Sequence, residues 1–193
     1  DYHPVWGVPM RECLPMPASF TFIGEGSFGA VYKGVNKISG EEVAIKIVAL
    51  STQTATQRDE NLKEAEGYRK FEGNKNIVRV FDFFENYEIT KLYMIMEFCN
   101  MGTLNDHINK RKLNKDGPQH FSLKEIKDIS RQVLRGLADL HVLGTGYCHL
   151  DLKPENIGVK MENFKVRYKL LDFGFLYPRG EFEDYIIGTR SYM

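Results

Sequence analysis

The chain has 193 residues, enough for one medium domain or two small lobes. With 42% hydrophobic and 27% charged residues it has the balance of a soluble globular protein, and 26 Lys plus Arg against 26 Asp plus Glu leave no net charge, which argues against a general nucleic-acid binder with its basic footprint. No apolar run approaches the roughly 18 residues that a membrane span requires.

Residues 1–18 read as an irregular leader, broken by Pro4, Pro9, Pro15 and Pro17 and lacking the apolar core of a signal peptide. The three cysteines, Cys13, Cys99 and Cys148, form no C-x-x-C pair and fit reduced thiols of a cytoplasmic or nuclear protein. Short β-type runs follow at Phe20–Ile23, Ala30–Lys33 and Val43–Leu50, punctuated by glycines and by Ser39-Gly40. Between the first two lies Gly24-Glu25-Gly26-Ser27-Phe28-Gly29-Ala30-Val31, a G-x-G-x-x-G-x-V pattern. Glycines let backbone N–H groups approach phosphate oxygens without Cβ collisions. A dinucleotide-binding turn uses the same three glycines but opens a helix, whereas Ala-Val-Tyr-Lys-Gly here is strand-like, so a β-hairpin is expected.

Lys46 ends Val43-Ala-Ile-Lys46 on the next strand, where an ammonium beside a phosphate-cradling hairpin can neutralise phosphate charge. Residues 51–56 read as loop and Gln57–Phe71 as helix, with Leu62, Ala65, Tyr68 and Phe71 as a partial apolar stripe. On that helix Glu64 is expected to face inward and hold Lys46, with Glu66 as the alternative. Strand character returns at Ile77–Phe84 and Leu92–Phe98.

Leu104–Lys110 reads as a short helix after Thr103, and residues 109–120 as a solvated basic loop. Ser122-x-x-Glu125 is a capping-box pattern opening a long helix. Ile126, Ile129, Val133, Leu134, Leu137 and Leu140 step along it by threes and fours and are expected to form its buried face, and Gly144 and Gly146 to end it. Next comes His149-Leu-Asp151-Leu-Lys153-Pro-Glu-Asn156, then short strands around Ile157–Val159 and Val166–Leu171, then Asp172-Phe-Gly174. An Asp, a Lys two residues on and an Asn five residues on can surround one hydroxyl–phosphate reaction centre. The Asp takes or orients the hydroxyl proton, the Lys offsets charge on the moving phosphoryl group, and the Asn carbonyl binds a metal. Asp172 adds a carboxylate, and an Asn–Asp oxygen pair suits Mg²⁺.

Taken in order, these segments resemble the glycine-rich loop, strand Lys, catalytic loop and magnesium loop of eukaryotic protein kinases over residues 20–193. The resemblance implies an α+β, bilobal protein-kinase-like fold, with a β-rich N-lobe over residues 19–98 and the hinge and first part of a helical C-lobe over 99–193. It implies ATP and Mg²⁺ as cofactors, a protein substrate, and an alternative as a nucleotide-binding pseudokinase scaffold. Asp151 is then the catalytic base, with Lys153 beside it, Asn156 and Asp172 are the magnesium ligands, and Lys46 with Glu64 is the activating ion pair. Nucleotide would lie against Ile23, Gly24, Glu25, Gly26, Ser27, Phe28, Gly29, Val31 and Ala44. Met96 resembles the gatekeeper, Glu97 and Cys99 would present backbone groups to adenine, and Thr103 would approach the ribose. Lys153 and Gly188-Thr189 resemble Ser/Thr kinases. Tyr68, Val80, His149 and Phe173 would stack as a regulatory spine.

The pattern is broken at three places. Leu150 stands where an Arg usually precedes the catalytic Asp, and no Ser or Thr lies between Gly174 and Gly188, so activity is expected not to depend on Ser/Thr phosphorylation there; Tyr177 and Tyr185, with Thr189 and Ser191 beyond, are the candidate hydroxyls. Gly158 stands where a larger apolar residue usually floors the adenine, implying a roomier pocket unless a neighbour fills it. The chain begins at Asp1 without an initiator Met and stops at Met193, before the usual Ala-Pro-Glu, so it is expected to be a piece of a longer protein.

Overall fold

The computed structural model describes residues 20–26, 29–50, 67, 70–86, 90–142, 146–173 and 177–178. The leader, the 51–56 loop, Glu64, Glu66, Tyr68 and the segment from Gly188 to Met193 lie outside the described residues, as do Gly144, Gly174 and Tyr185. The described residues fall into two compact units. One takes those within Asp1–Ala65 and Arg79–Phe98, the other those within Glu66–Val78 and Cys99–Met193.

The first unit is a five-stranded antiparallel sheet in the order β1-β2-β3-β5-β4. Its strands are β1 (Thr21–Gly26), β2 (Gly29–Val35), β3 (Glu42–Ala49), β4 (Val80–Asn86) and β5 (Lys91–Glu97). The Gly-rich pattern does form a hairpin: Gly26 pairs with Gly29, Glu25 with Ala30 and Gly24 with Val31, with a register shift between Phe22 and Gly24. Alternation along β3 and β5 sorts the side chains by face. Val43, Ile45, Tyr93 and Ile95 form one apolar cluster, joined by Phe20, Ile47, Phe81 and Phe84. Val48, Leu50 and Leu92 form another with Phe83.

In the second unit, helix α1 (Leu104–Leu113) runs three residues beyond its expected end. Thr103 caps it in a reciprocal box with Asp106, accepting from the Asp106 N–H and donating to its carboxylate. Helix α2 (Leu123–Val142) opens on the expected box: the Glu125 N–H donates to Ser122 Oγ at 3.3 Å and the Ser122 N–H to Glu125 Oε2 at 2.8 Å. Its buried face is narrower than the apolar spacing implied. Gln132, Val133, Gly136 and Leu140 are buried, while Ile126 and Leu134 are exposed.

Strand β6 (Tyr147–Cys148) pairs with β9 (Tyr177–Pro178), and β7 (Ile157–Glu162) with β8 (Lys165–Leu170). Residues 74–78 are fastened to this unit by a buried polar network. The Asn76 amide donates to Gln132 Oε1 at 3.1 Å and to the Tyr168 carbonyl at 3.0 Å, and the Leu170 N–H donates to the Asn76 carbonyl at 2.9 Å. Ile77, expected to begin a strand continuous with β4, instead bridges in parallel to Leu170. Among the described residues no helix is long and apolar enough to cross a membrane.

Candidate active site

Register explains which candidates in the first unit meet. Lys46 lies opposite Val31 on β2 and opposite Met94 on β5, and Ala44 lies opposite Met96. Side chains two apart on a strand share a face, so Val31, Ala44, Lys46 and Met96 stand on one face of the sheet. Lys46 is 4% exposed. Its expected partner Glu64 lies outside the described residues, as do Ser27 and Phe28 at the hairpin tip. Ile23 and Glu25 are exposed on β1.

Two glycines of the hairpin have different causes. A Cβ at Gly29 would overlap the Ile47 carbonyl oxygen, so the approach of β3 requires glycine there. A Cβ at Gly24 would meet nothing within 4 Å, so packing does not require that glycine.

Glu97 is buried at the end of β5. Its N–H donates to the Arg79 carbonyl at 2.9 Å, and its carboxylate accepts the Arg79 N–H at 2.8 Å.

In the second unit the charged motif closes on itself. Asp151 is 4% exposed, Lys153 Nζ lies 2.7 Å from its Oδ2, and the Asn156 amide nitrogen donates to that oxygen at 3.0 Å and to the Asp151 carbonyl at 2.9 Å. The Pro154–Asn156 turn of 3₁₀ helix folds Asn156 back over Asp151. With its nitrogen so committed, Asn156 presents its carbonyl oxygen as acceptor. The Leu171 N–H donates to the Asn156 backbone carbonyl at 2.9 Å, which holds the residue before Asp172 against this turn. Asp172 has a left-handed backbone, φ 58°, as does Leu150, φ 57°, where non-glycine residues carry strain of roughly 1 kcal/mol or more. One amide oxygen and one carboxylate are hard donors of the kind magnesium takes when phosphates and waters complete its shell, so this donor set fits that ion.

His149 binds these pieces together. Its Nε2 lies 2.9 Å from the Leu171 carbonyl, and its ring packs edge-on against Phe173 at 5.7 Å. Burial pushes the imidazole below its ordinary pKa, opposed by the Leu171 hydrogen bond and then by the Asp172 and Asp151 charges. Of the expected spine of Tyr68, Val80, His149 and Phe173, the pair His149 and Phe173 packs together, while Tyr68 lies outside the described residues. Phe71, which the sequence marks only as a helix-stripe residue, meets Phe173 edge-on at 5.9 Å.

Residues 99–103 carry two further expectations. Thr103, expected near a ribose, caps α1, its hydroxyl donating to the Asp106 carboxylate and accepting from the Asp106 N–H. The space left by Gly158 is occupied: a Cβ there would lie 2.5 Å from Cys99 Sγ and 3.1 Å from Leu171 Cδ2. Of the two outcomes left open, the one in which a neighbour fills the space holds, the neighbour being Cys99, and no local signal in the sequence pairs these two positions. The Cys99 carbonyl accepts from the Gly102 N–H at 3.0 Å, and the Val159 N–H donates to the Gly102 carbonyl at 2.8 Å, which lays residues 99–103 along β7.

A family model described as "Protein kinase domain" matches residues 18–193. The chain is 32% identical over 178 residues to CDPK-related kinase 1 of Arabidopsis thaliana. That match covers 89% of this chain and 29% of the relative, so the chain spans less than a third of the relative's length.

Proposed function

Because the chain belongs to the protein kinase family, we propose that the protein transfers the γ-phosphoryl group of ATP to Ser or Thr hydroxyls of protein substrates, with Mg²⁺. The observation that carries this reading is the buried Asp151 carboxylate with Lys153 and Asn156 both on its Oδ2. A carboxylate so oriented accepts the proton of an attacking hydroxyl, while Lys153 offsets charge on the moving phosphoryl group. The Asn156 carbonyl oxygen and the Asp172 carboxylate would hold the metal, which when bound would supply positive charge against the phosphates. Lys46 meets phosphate charge, and the open space at Gly24 suits close approach of a phosphate to the backbone. Adenine takes backbone groups of Glu97 and Cys99. The Ser/Thr preference rests on Lys153 in its Asp-Leu-Lys-Pro-Glu-Asn context.

The test is phosphoryl transfer from Mg–ATP by the full-length protein to mixed Ser-, Thr- and Tyr-containing peptides, beside Asp151→Asn. Expected are phosphoserine and phosphothreonine, with transfer falling about 10²–10⁴-fold in the variant. Nucleotide binding without transfer would make the protein a scaffold, and phosphotyrosine as the main product would remove the Ser/Thr assignment.

A further inference from the structure

The β7–β8 hairpin is held tightly at its base and bears an unusual tip. On the β7 edge the Val159 N–H donates to Gly102, the Met101 N–H to Val159, and the Met161 N–H to Asn100 Oδ1. On the β8 edge Leu170 exchanges backbone hydrogen bonds with Asn76 and Val78. A partner strand therefore has no edge to join at the base.

The turn is Asn163-Phe164, flanked by the pair Glu162–Lys165. Both turn residues are left-handed, with φ 46° and 60°. A two-residue hairpin turn of this hand favours Asn followed by Gly, because a Cβ at the second position is strained. Here that position holds a phenylalanine that is fully exposed, at 101%. Met161, two residues before the turn, is also exposed. At that exposure Phe164 buries nothing against the described residues, and an aromatic in strained backbone facing water is worse for stability than glycine on both counts.

Charge on the same hairpin is one-sided. Between Ile157 and Leu170 it carries Lys160, Lys165, Arg167 and Lys169 against the single acid Glu162. Lys160 and Arg167 are direct cross-strand partners, a like-charge pairing that disfavours the sheet. Glu162 lies 3.0 Å from Lys160 and 4.0 Å from Lys169.

A strained, exposed aromatic at the tip of a hairpin that carries four cations against one acid points to use in binding. We propose that the tip of the β7–β8 hairpin is a docking knob for an acidic protein segment, with Phe164 entering an apolar pocket of the partner and Lys160, Lys165 and Arg167 meeting its carboxylates. The cations supply long-range attraction and the aromatic supplies the anchor, the usual division of roles at such interfaces.

The test uses full-length protein and fluorescein-labelled peptides rich in Glu and Asp with Leu, Ile or Phe at every third position, read by anisotropy. A matched set with Lys in place of the acids serves as control. The acidic set is expected to bind, to lose affinity tenfold or more with Phe164→Gly and again with Lys160→Ala/Arg167→Ala, and to weaken as salt rises. Phe164→Gly should also raise the unfolding temperature, a gain that a structural role for the phenylalanine would reverse. Phosphoryl transfer to a short generic peptide should be unchanged. Failure of the acidic set to bind, equal binding by Phe164→Gly, or preference for phosphatidylserine vesicles over the acidic peptides each overturns the proposal.

Discussion

Gly158→Ala sets a local rule against a distant contact. By backbone entropy alone, alanine in place of a strand glycine stabilises by about 0.4–1 kcal/mol. Gly158 is buried in β7 with no left-handed backbone to protect, so that gain should be available. The added methyl, however, would stand 2.5 Å from Cys99 Sγ and 3.1 Å from Leu171 Cδ2, and both neighbours are half-buried. Overpacking of this kind costs about 1–3 kcal/mol. The second effect wins, leaving a net loss on the order of 1–2 kcal/mol, or roughly 2–8 °C in Tm for a chain of this size. Cys99→Ala removes the nearest atom, so Gly158→Ala in that background should be close to neutral. Urea unfolding of the wild type, both single variants and the double variant measures the coupling. Additivity within about 0.5 kcal/mol, or stabilisation by Gly158→Ala alone, would refute the packing argument.

Stability should also respond to pH through His149. Its folded pKa lies below the ordinary 6.5 because burial disfavours the cation. Above pH 6.5 both states are neutral there and the full contribution is present. As pH falls below 6.5 the unfolded chain binds the proton first, so stability is lost down to the folded pKa. Urea midpoints between pH 8 and 5 should show that decline, and His149→Gln should flatten it. The Ser122–Glu125 box provides a further check: Ser122→Ala should cost about 1 kcal/mol by thermal unfolding. Glu125 is held below its ordinary pKa first by hydrogen bonds from Ser122 and then by Arg111. Its contribution is therefore present above pH 4.5 and fades as pH falls through the folded value, a dependence that Glu125→Gln should remove.

Much of the site was legible because its geometry is local. Asp151, Lys153 and Asn156 occupy one short loop, and a single 3₁₀ turn brings the amide back onto the carboxylate. The hairpin of the glycine-rich segment was legible from its strand-like flank, and the capping box of α2 from a four-residue pattern. In each case the residues that interact are also neighbours in sequence, so side-chain type and spacing carry the answer. Register extended this reach: once Val43 to Ala49 is a strand, period-two alternation places Ala44 and Lys46 on one face.

What the chain order could not reveal depends on surfaces meeting across many residues. Ile77 bridges Leu170 instead of extending β4, because Asn76 finds its partners on α2 and β8. Ile126 and Leu134 fit a helical stripe but are exposed, since the contact face of α2 centres on Val133, Gly136 and Leu140. Cys99 fills the gap at Gly158, turning an apparent defect in one motif into a matched pair. Amino-acid type determines what a residue can do within a turn or two of itself, whereas which atoms fill a given volume is decided only when distant segments compete for it.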